Sequence, residues 1–145
     1  MYPIMLDITN KRITVVGGGR IALRKTKGLL AEGANVTVIS PEIEASFYGL
    51  DITWKEKMYE KEDLADSFLV FACTNDAEVN RQVRKDAAPF QLVNVTSEQE
   101  LSDFHNMAVA KGKECLLAIS TRGQNPSKAK TIKKLLEDWL EENKI

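Results

Sequence analysis

The residues that build metal and disulfide frameworks are scarce in this 145-residue sequence, which has two cysteines and one histidine. Spread as they are, Cys73, Cys115 and His105 cannot supply the clustered Cys/His set of a structural zinc site, so no metal is expected. Both cysteines lie inside apolar runs (FLVFAC and ECLLAIS), where a thiol packs as a small hydrophobe. Long apolar runs are missing too. No stretch reaches the roughly 18–20 apolar residues of a membrane span, and the first residues lack the basic-then-apolar order of a secretory signal. No membrane partner and a cytoplasmic location are therefore expected. Neither sign of charge dominates: 20 Lys+Arg against 21 Asp+Glu leave a formal net charge of −1. That excludes the strongly basic footprint of general nucleic-acid binding. At 43% hydrophobic residues the chain can close a core without staples, as one domain with at most a small appendage.

Glycine is also sparse, with eight in the chain, yet three of them adjoin as Gly17, Gly18 and Gly19. Before them stands the β-branched run Ile13–Val16. After them Ile21, Ala22, Lys25, Leu29 and Leu30 keep helical spacing up to Gly33, and Asn35–Ser40 is strand-like again. Strand, glycine turn, helix and strand within about 30 residues make a βαβ unit. The pattern continues with strands at Ile52–Trp54, Phe68–Ala72 and Leu92–Val95, a short helix at Lys61–Asp66, and a helix at Ala77–Ala87 capped from Thr74-Asn75-Asp76. Strands alternating with helices predict an α/β, Rossmann-like fold with a parallel sheet covered on both faces.

The spacing Gly17-x-Gly19-x-x-Ala22 falls between a strand and a helix, where this fingerprint carries meaning. Gly17 permits the sharp turn, Gly19 lets backbone approach a pyrophosphate, and Ala22 allows close helix–strand packing, while the N–H groups at the helix start receive the anion. A turn that merely shortens the connection is the plainer reading. About 20 residues on, where an acidic side chain usually takes the ribose hydroxyls, the sequence has Ser40-Pro41-Glu42. Ser40 can serve there, or Glu42 from one turn later, whereas Arg20 would favour a 2′-phosphate. The balance points to NAD as cofactor.

Composition shifts after residue 110. Between Lys111 and Lys134 seven basic residues meet the single acid Glu114. Cys115–Ser120 is strand-like, Asn125-Pro126 opens a helix, and Ala129, Ile132, Leu135, Leu136, Trp139 and Leu140 form its apolar stripe. That stripe fits packing on the chain's own sheet or against a second copy. Residues 1–112 are read as the dinucleotide-binding domain and 113–145 as a strand-and-helix dimerisation segment.

Six segments in order resemble the N-terminal module of siroheme synthases, the precorrin-2 dehydrogenase and sirohydrochlorin ferrochelatase family. They are Tyr2-Pro3-Ile4, VVGGGRIALRK, GANVTVISP, FACTNDAEVN, LVNV and LAISTRGQNPSKA. The resemblance implies NAD-dependent oxidation of precorrin-2 to sirohydrochlorin, followed in bifunctional members by insertion of iron, and a homodimer. It also implies cofactor contacts at Gly17, Gly18, Gly19, Arg20 and Ile21 for the pyrophosphate, at Ser40, Pro41 and Glu42 near the adenosine, and at Thr74 and Asn75 on the next strand end.

Two departures bear on chemistry. The family carries an aspartate, a candidate general base, just after its fifth strand, and here Ser97 stands there. A neutral hydroxyl does not take a proton unaided, which puts iron insertion in doubt and turns attention to Glu98, Glu100, Asp103 and His105 nearby. His105 has the intrinsic pKa best suited to proton transfer, although a surface or capping histidine is the plainer reading. Family members also usually continue into a small helical domain beyond the point where this sequence stops, so a non-catalytic dinucleotide- or tetrapyrrole-binding relative, or a fragment needing that domain, is the alternative. The basic segment suits a substrate rich in carboxylates, with Arg122, Asn125 and Lys128 as expected substrate contacts, against the plainer reading of a solvated helix face.

Overall fold

The chain enters its sheet from a turn in which Asn10 adopts φ 59°, a left-handed conformation that asparagine tolerates better than most residues. The computed structural model describes residues 1–145. Strand β1 (Arg12–Val16) is followed by α1 (Arg20–Ala31), β2 (Asn35–Ile39), β3 (Ile52–Lys55), β4 (Leu69–Ala72), α2 (Ala77–Asp86) and β5 (Leu92–Val95). The sheet order is β3-β2-β1-β4-β5, with every pair parallel. Val16 is in register with both Ile39 and Ala72, so the loops leaving β1, β2 and β4 begin side by side.

Alternation along the strands explains the two cores. Ile13, Val15, Leu69 and Phe71 join Ala22 and Leu29 of α1 on one face, while Val16, Val70, Ala72, Val93 and Val95 join Val83 of α2 on the other. All four residues of β4 are buried, as a central parallel strand requires, and each large apolar side chain so covered contributes about 1.5–3 kcal/mol. The helix expected at Lys61–Asp66 is a short 3-10 turn, Lys61–Leu64. The free edge of β5 is closed by the segment that follows it. The Asp103 carboxylate accepts from Val93 N–H at 2.9 Å, the Ser102 hydroxyl accepts from Val95 N–H at 2.8 Å, and Asp103 N–H donates to the Val93 carbonyl at 2.8 Å. Edge groups that would otherwise invite a foreign strand are thereby used up.

Residues Tyr2–Phe104 form this unit, and His105–Ile145 with Met1 form a second. The second holds an antiparallel hairpin, β6 (Ala108–Lys111) and β7 (Leu116–Ile119), and the helix α3 (Pro126–Glu142). The boundary therefore precedes the expected residue 112, because Ala108–Lys111 hydrogen-bonds to β7 and not to the parallel sheet. Ala110, Ala129 and Leu140 are buried, whereas Leu135 and Trp139 stay exposed on α3. No helix is long and apolar enough to cross a membrane.

Candidate functional site

The order of the strands places the reversal of winding between β1 and β4, and ligands of open α/β sheets bind beyond the carboxyl ends of the strands at that point. The glycine turn lies there. Gly17 has φ 120°, and a Cβ on it would stand 2.7 Å from the Cys73 carbonyl oxygen, so only glycine fits between β1 and the end of β4. A Cβ on Gly18 would overlap the Glu42 carbonyl oxygen and come within 2.9 Å of Ile43 Cα. The Gly18 carbonyl accepts from Glu44 N–H at 2.9 Å. Gly18, expected at the pyrophosphate, is thus the residue that lets the loop after β2 lie against the turn.

Gly19 differs from both. It has ordinary extended geometry (φ −86°, ψ −172°), and a Cβ there would meet nothing within 4 Å. It is the N-cap of α1, with no side-chain capping bond and no acidic residue in the first turn. The first N–H groups of α1 therefore have no capping side chain at the positive end of the helix dipole, an arrangement that fits a dinucleotide pyrophosphate. Arg20 and Ile21 are exposed on that same first turn.

Beyond β2, Ser40 is buried and its hydroxyl donates to the Glu42 carbonyl at 2.6 Å, while its own carbonyl accepts from the Trp54 indole at 2.9 Å. Ser40 is thus committed to holding the loop. Pro41 and Glu42 are exposed, which leaves the Glu42 carboxylate as the acidic group on offer to a ribose.

After β4, the Thr74 hydroxyl and N–H both donate to Asn80 Oδ1, at 2.8 and 3.0 Å, and Asn75 is exposed at the tip. Asp76 caps α2, accepting from Glu78 N–H at 2.9 Å. Asn80 is fully buried and also donates from Nδ2 to the Thr74 carbonyl at 3.0 Å and to the Ser97 hydroxyl oxygen at 3.1 Å. Sequence reasoning missed this residue as a site component, although the spacing Thr74-Asn75-x-x-x-x-Asn80 held the signal. Burial pushes the Cys73 thiol up to about 11, so it stays protonated and acts as packing. Burial pushes the Lys25 ammonium down, and it rests 5.4 Å from the centre of the Phe71 ring.

The expected catalytic residues have different surroundings. Ser97 is exposed just past β5. Glu98 Oε1 lies 2.7 Å from Arg81 Nε and is held in an ion pair. Asp103 is spent on Val93 N–H and on a two-point contact with Arg84, at 2.8 and 2.9 Å. His105 belongs to the second unit and is half-buried there. In that unit Arg122 is exposed in a turn with φ 52°, Asn125 caps α3 by accepting from Lys128 N–H at 2.9 Å, and the Lys128 side chain is exposed. Asn125 thus has a structural duty that the sequence also signalled through its following proline.

Residues 4–108 match the NAD(P)-binding family model. The chain is 34% identical over 136 residues to precorrin-2 dehydrogenase of Bacillus subtilis (strain 168), covering 91% of this chain and 84% of that protein. It is 36% identical to precorrin-2 dehydrogenase of Priestia megaterium, covering 99% and 73%. The siroheme synthase of Chromobacterium violaceum is 36% identical, but this chain spans only 31% of it. Among solved structures, SirC, a precorrin-2 dehydrogenase, superposes with a TM-score of 0.86 at 35% identity, over 97% of this chain and 74% of that one. A glycine turn between strand and helix, on a fold shared over 97% of this chain with a solved precorrin-2 dehydrogenase, leaves one assignment: the chain belongs to the precorrin-2 dehydrogenase family of NAD(P)-binding proteins.

Proposed function

We propose that this protein oxidises precorrin-2 to sirohydrochlorin with NAD as hydride acceptor, acting in the cytoplasm. The observation that carries the reading is the uncapped start of α1 at Gly19, open to a pyrophosphate at the point where the sheet reverses its winding. A bound nicotinamide would supply the hydride acceptor for this two-electron oxidation, with one proton released from the tetrapyrrole to balance it. The chain's own part is binding and orientation. The N–H groups of the first turn of α1 hold the diphosphate, Glu42 receives the ribose hydroxyls, and the loop fastened by Asn80 shapes the next strand end. Orientation of this kind supplies much of the rate of a two-reactant step.

NAD is preferred over NADP on this reading, because the exposed Glu42 carboxylate would repel a 2′-phosphate. Arg122 and Lys128 serve the substrate's carboxylates, and two free cysteines suit a reducing compartment. The exposed Leu135 and Trp139 of α3 support a homodimer through the second unit. Ser97 in place of an acid favours dehydrogenation without iron insertion, and with Glu98 held by Arg81, His105 is the remaining candidate to carry the proton. The test is incubation of the protein with precorrin-2 and either dinucleotide, following the sirohydrochlorin spectrum and reduced cofactor together. Equal amounts of both products, faster with NAD, are expected. Dinucleotide binding without sirohydrochlorin would favour the non-catalytic relative instead.

A further inference from the structure

The direction of each hydrogen bond at Asn80 follows from its partners. The Thr74 backbone N–H can only donate, so the amide atom 3.0 Å from it is oxygen. The Thr74 carbonyl can only accept, so the atom 3.0 Å from that is nitrogen. Both ends agree, and the amide orientation is fixed by backbone groups rather than chosen by a neighbouring side chain. The same Nδ2 then donates to Ser97 Oγ at 3.1 Å. Asn80 is fully buried and cannot turn without leaving two polar groups unpaired. The oxygen of Ser97 is consequently an acceptor on its inner side, and its proton must point elsewhere. Ser97 is exposed, so its proton is open to an acceptor from outside the chain.

We propose that Asn80 is a positioning residue that turns the Ser97 hydroxyl outward as a hydrogen-bond donor to an acceptor atom of the tetrapyrrole. The proposal rests on the functional reading above. Where the family's aspartate would present a lone pair, this chain presents a proton, so position 97 binds an acceptor and does not take a proton away. Ser97 follows β5 at the carboxyl-end edge of the sheet, the edge at which ligands of open α/β sheets bind, two strands from β1 and its glycine turn. Precorrin-2, with its many carboxylates, offers acceptors suited to such a donor. The aspartate alternative would use the same Asn80 Nδ2, since a carboxylate oxygen accepts from it equally well.

The experiment titrates sirohydrochlorin into the protein by absorbance, alongside calorimetric titration of NAD and steady-state kinetics with precorrin-2. Ser97→Ala should weaken tetrapyrrole binding about ten- to a hundredfold, the loss expected for one hydrogen bond to a charged acceptor, with NAD affinity and the pH dependence of kcat unchanged. Ser97→Asp should bind as weakly as the alanine variant at neutral pH and recover in acid, where the protonated carboxyl becomes a donor. Asn80→Asp should weaken tetrapyrrole binding in the Ser97 background and add nothing in the Ser97→Ala background. Should Asn80→Asp fail to fold, the two Ser97 variants, altered at an exposed position, decide the matter alone. A kcat loss with a new pH dependence in Ser97→Ala, a loss confined to NAD affinity, or additive effects of the two positions would overturn the proposal. A wild-type protein that binds no tetrapyrrole would overturn it as well. Binding with the expected variant pattern but no oxidation would instead overturn the functional reading and leave the donor role standing.

Discussion

Helices α1 and α2 begin beyond adjacent parallel strands at one edge of the sheet, yet their first turns are finished in opposite ways. At α2 the Asp76 carboxylate accepts from Glu78 N–H, and Glu78 adds a second acid to the first turn. At α1 the cap is Gly19, with no capping side chain and no acid. A carboxylate at α2 completes the helix from within the chain. Its absence at α1 leaves the same N–H groups for an anion from outside, at a cost of only a few tenths of a kcal/mol for glycine at an N-cap. The difference teaches that function is written in what a helix end lacks, once a neighbouring end shows what completion looks like.

The comparison breaks most completely if the turn itself is rebuilt. Gly17→Ala would force a side chain into φ 120° and against the Cys73 carbonyl oxygen. We expect a loss of about 2–5 kcal/mol from strain and overpacking together, read as a fall in the urea midpoint, with binding lost along with the fold. A variant as stable as wild type would mean that the turn tolerates a different backbone.

Gly19→Asp converts the start of α1 into a copy of the start of α2. Nothing stands within 4 Å of the added Cβ, and the new carboxylate would cap the open N–H groups, so the thermal midpoint should hold or rise slightly. Dinucleotide affinity should fall by about 1.5–3 kcal/mol, roughly ten- to a hundredfold, as charge-assisted bonds are replaced by repulsion. Calorimetric titration of NAD into the folded variant measures it. Unchanged affinity would remove the anion site from α1.

Much of this is legible in the sequence alone. The glycine triplet, the continuous apolar runs of β1, β4 and β5, and the caps at Asp76 and Asn125 are local signals, set by conformation and by spacing along the chain. The rest depended on pairing across the chain. Strand β6 has the unremarkable sequence AVAK and exists because β7 is there to receive it. Glu98 and Asp103 are plausible bases on paper, but Arg81, Arg84 and a strand edge had already claimed them. Likewise nothing along the chain reveals that Ser40 is held by Trp54, or that buried Asn80 donates to the hydroxyl of a serine seventeen residues away.

A third helix start sharpens the contrast at smaller scale. The 3-10 turn Lys61–Leu64 is closed by a reciprocal box in which Asp63 accepts from Glu60 N–H at 3.0 Å, with Lys55 and Lys57 against the same carboxylate. Burial of the Asp63 side chain, 4% exposed, works to raise its pKa, but the Glu60 N–H and the two lysines outweigh that and hold it below the ordinary value of 3.8. A depressed folded pKa means that this carboxylate stabilises the protein above its unfolded pKa, and that the contribution fades as pH falls through the lowered value. Asp63→Asn should therefore cost about 1 kcal/mol at neutral pH, and the variant should lose less than wild type between pH about 7 and about 3. Urea midpoints at both pH values measure the two effects. The start of α1 has no carboxylate to titrate, so if acid weakened wild type and Asp63→Asn alike, the closed box would be contributing no more to stability than the open end does.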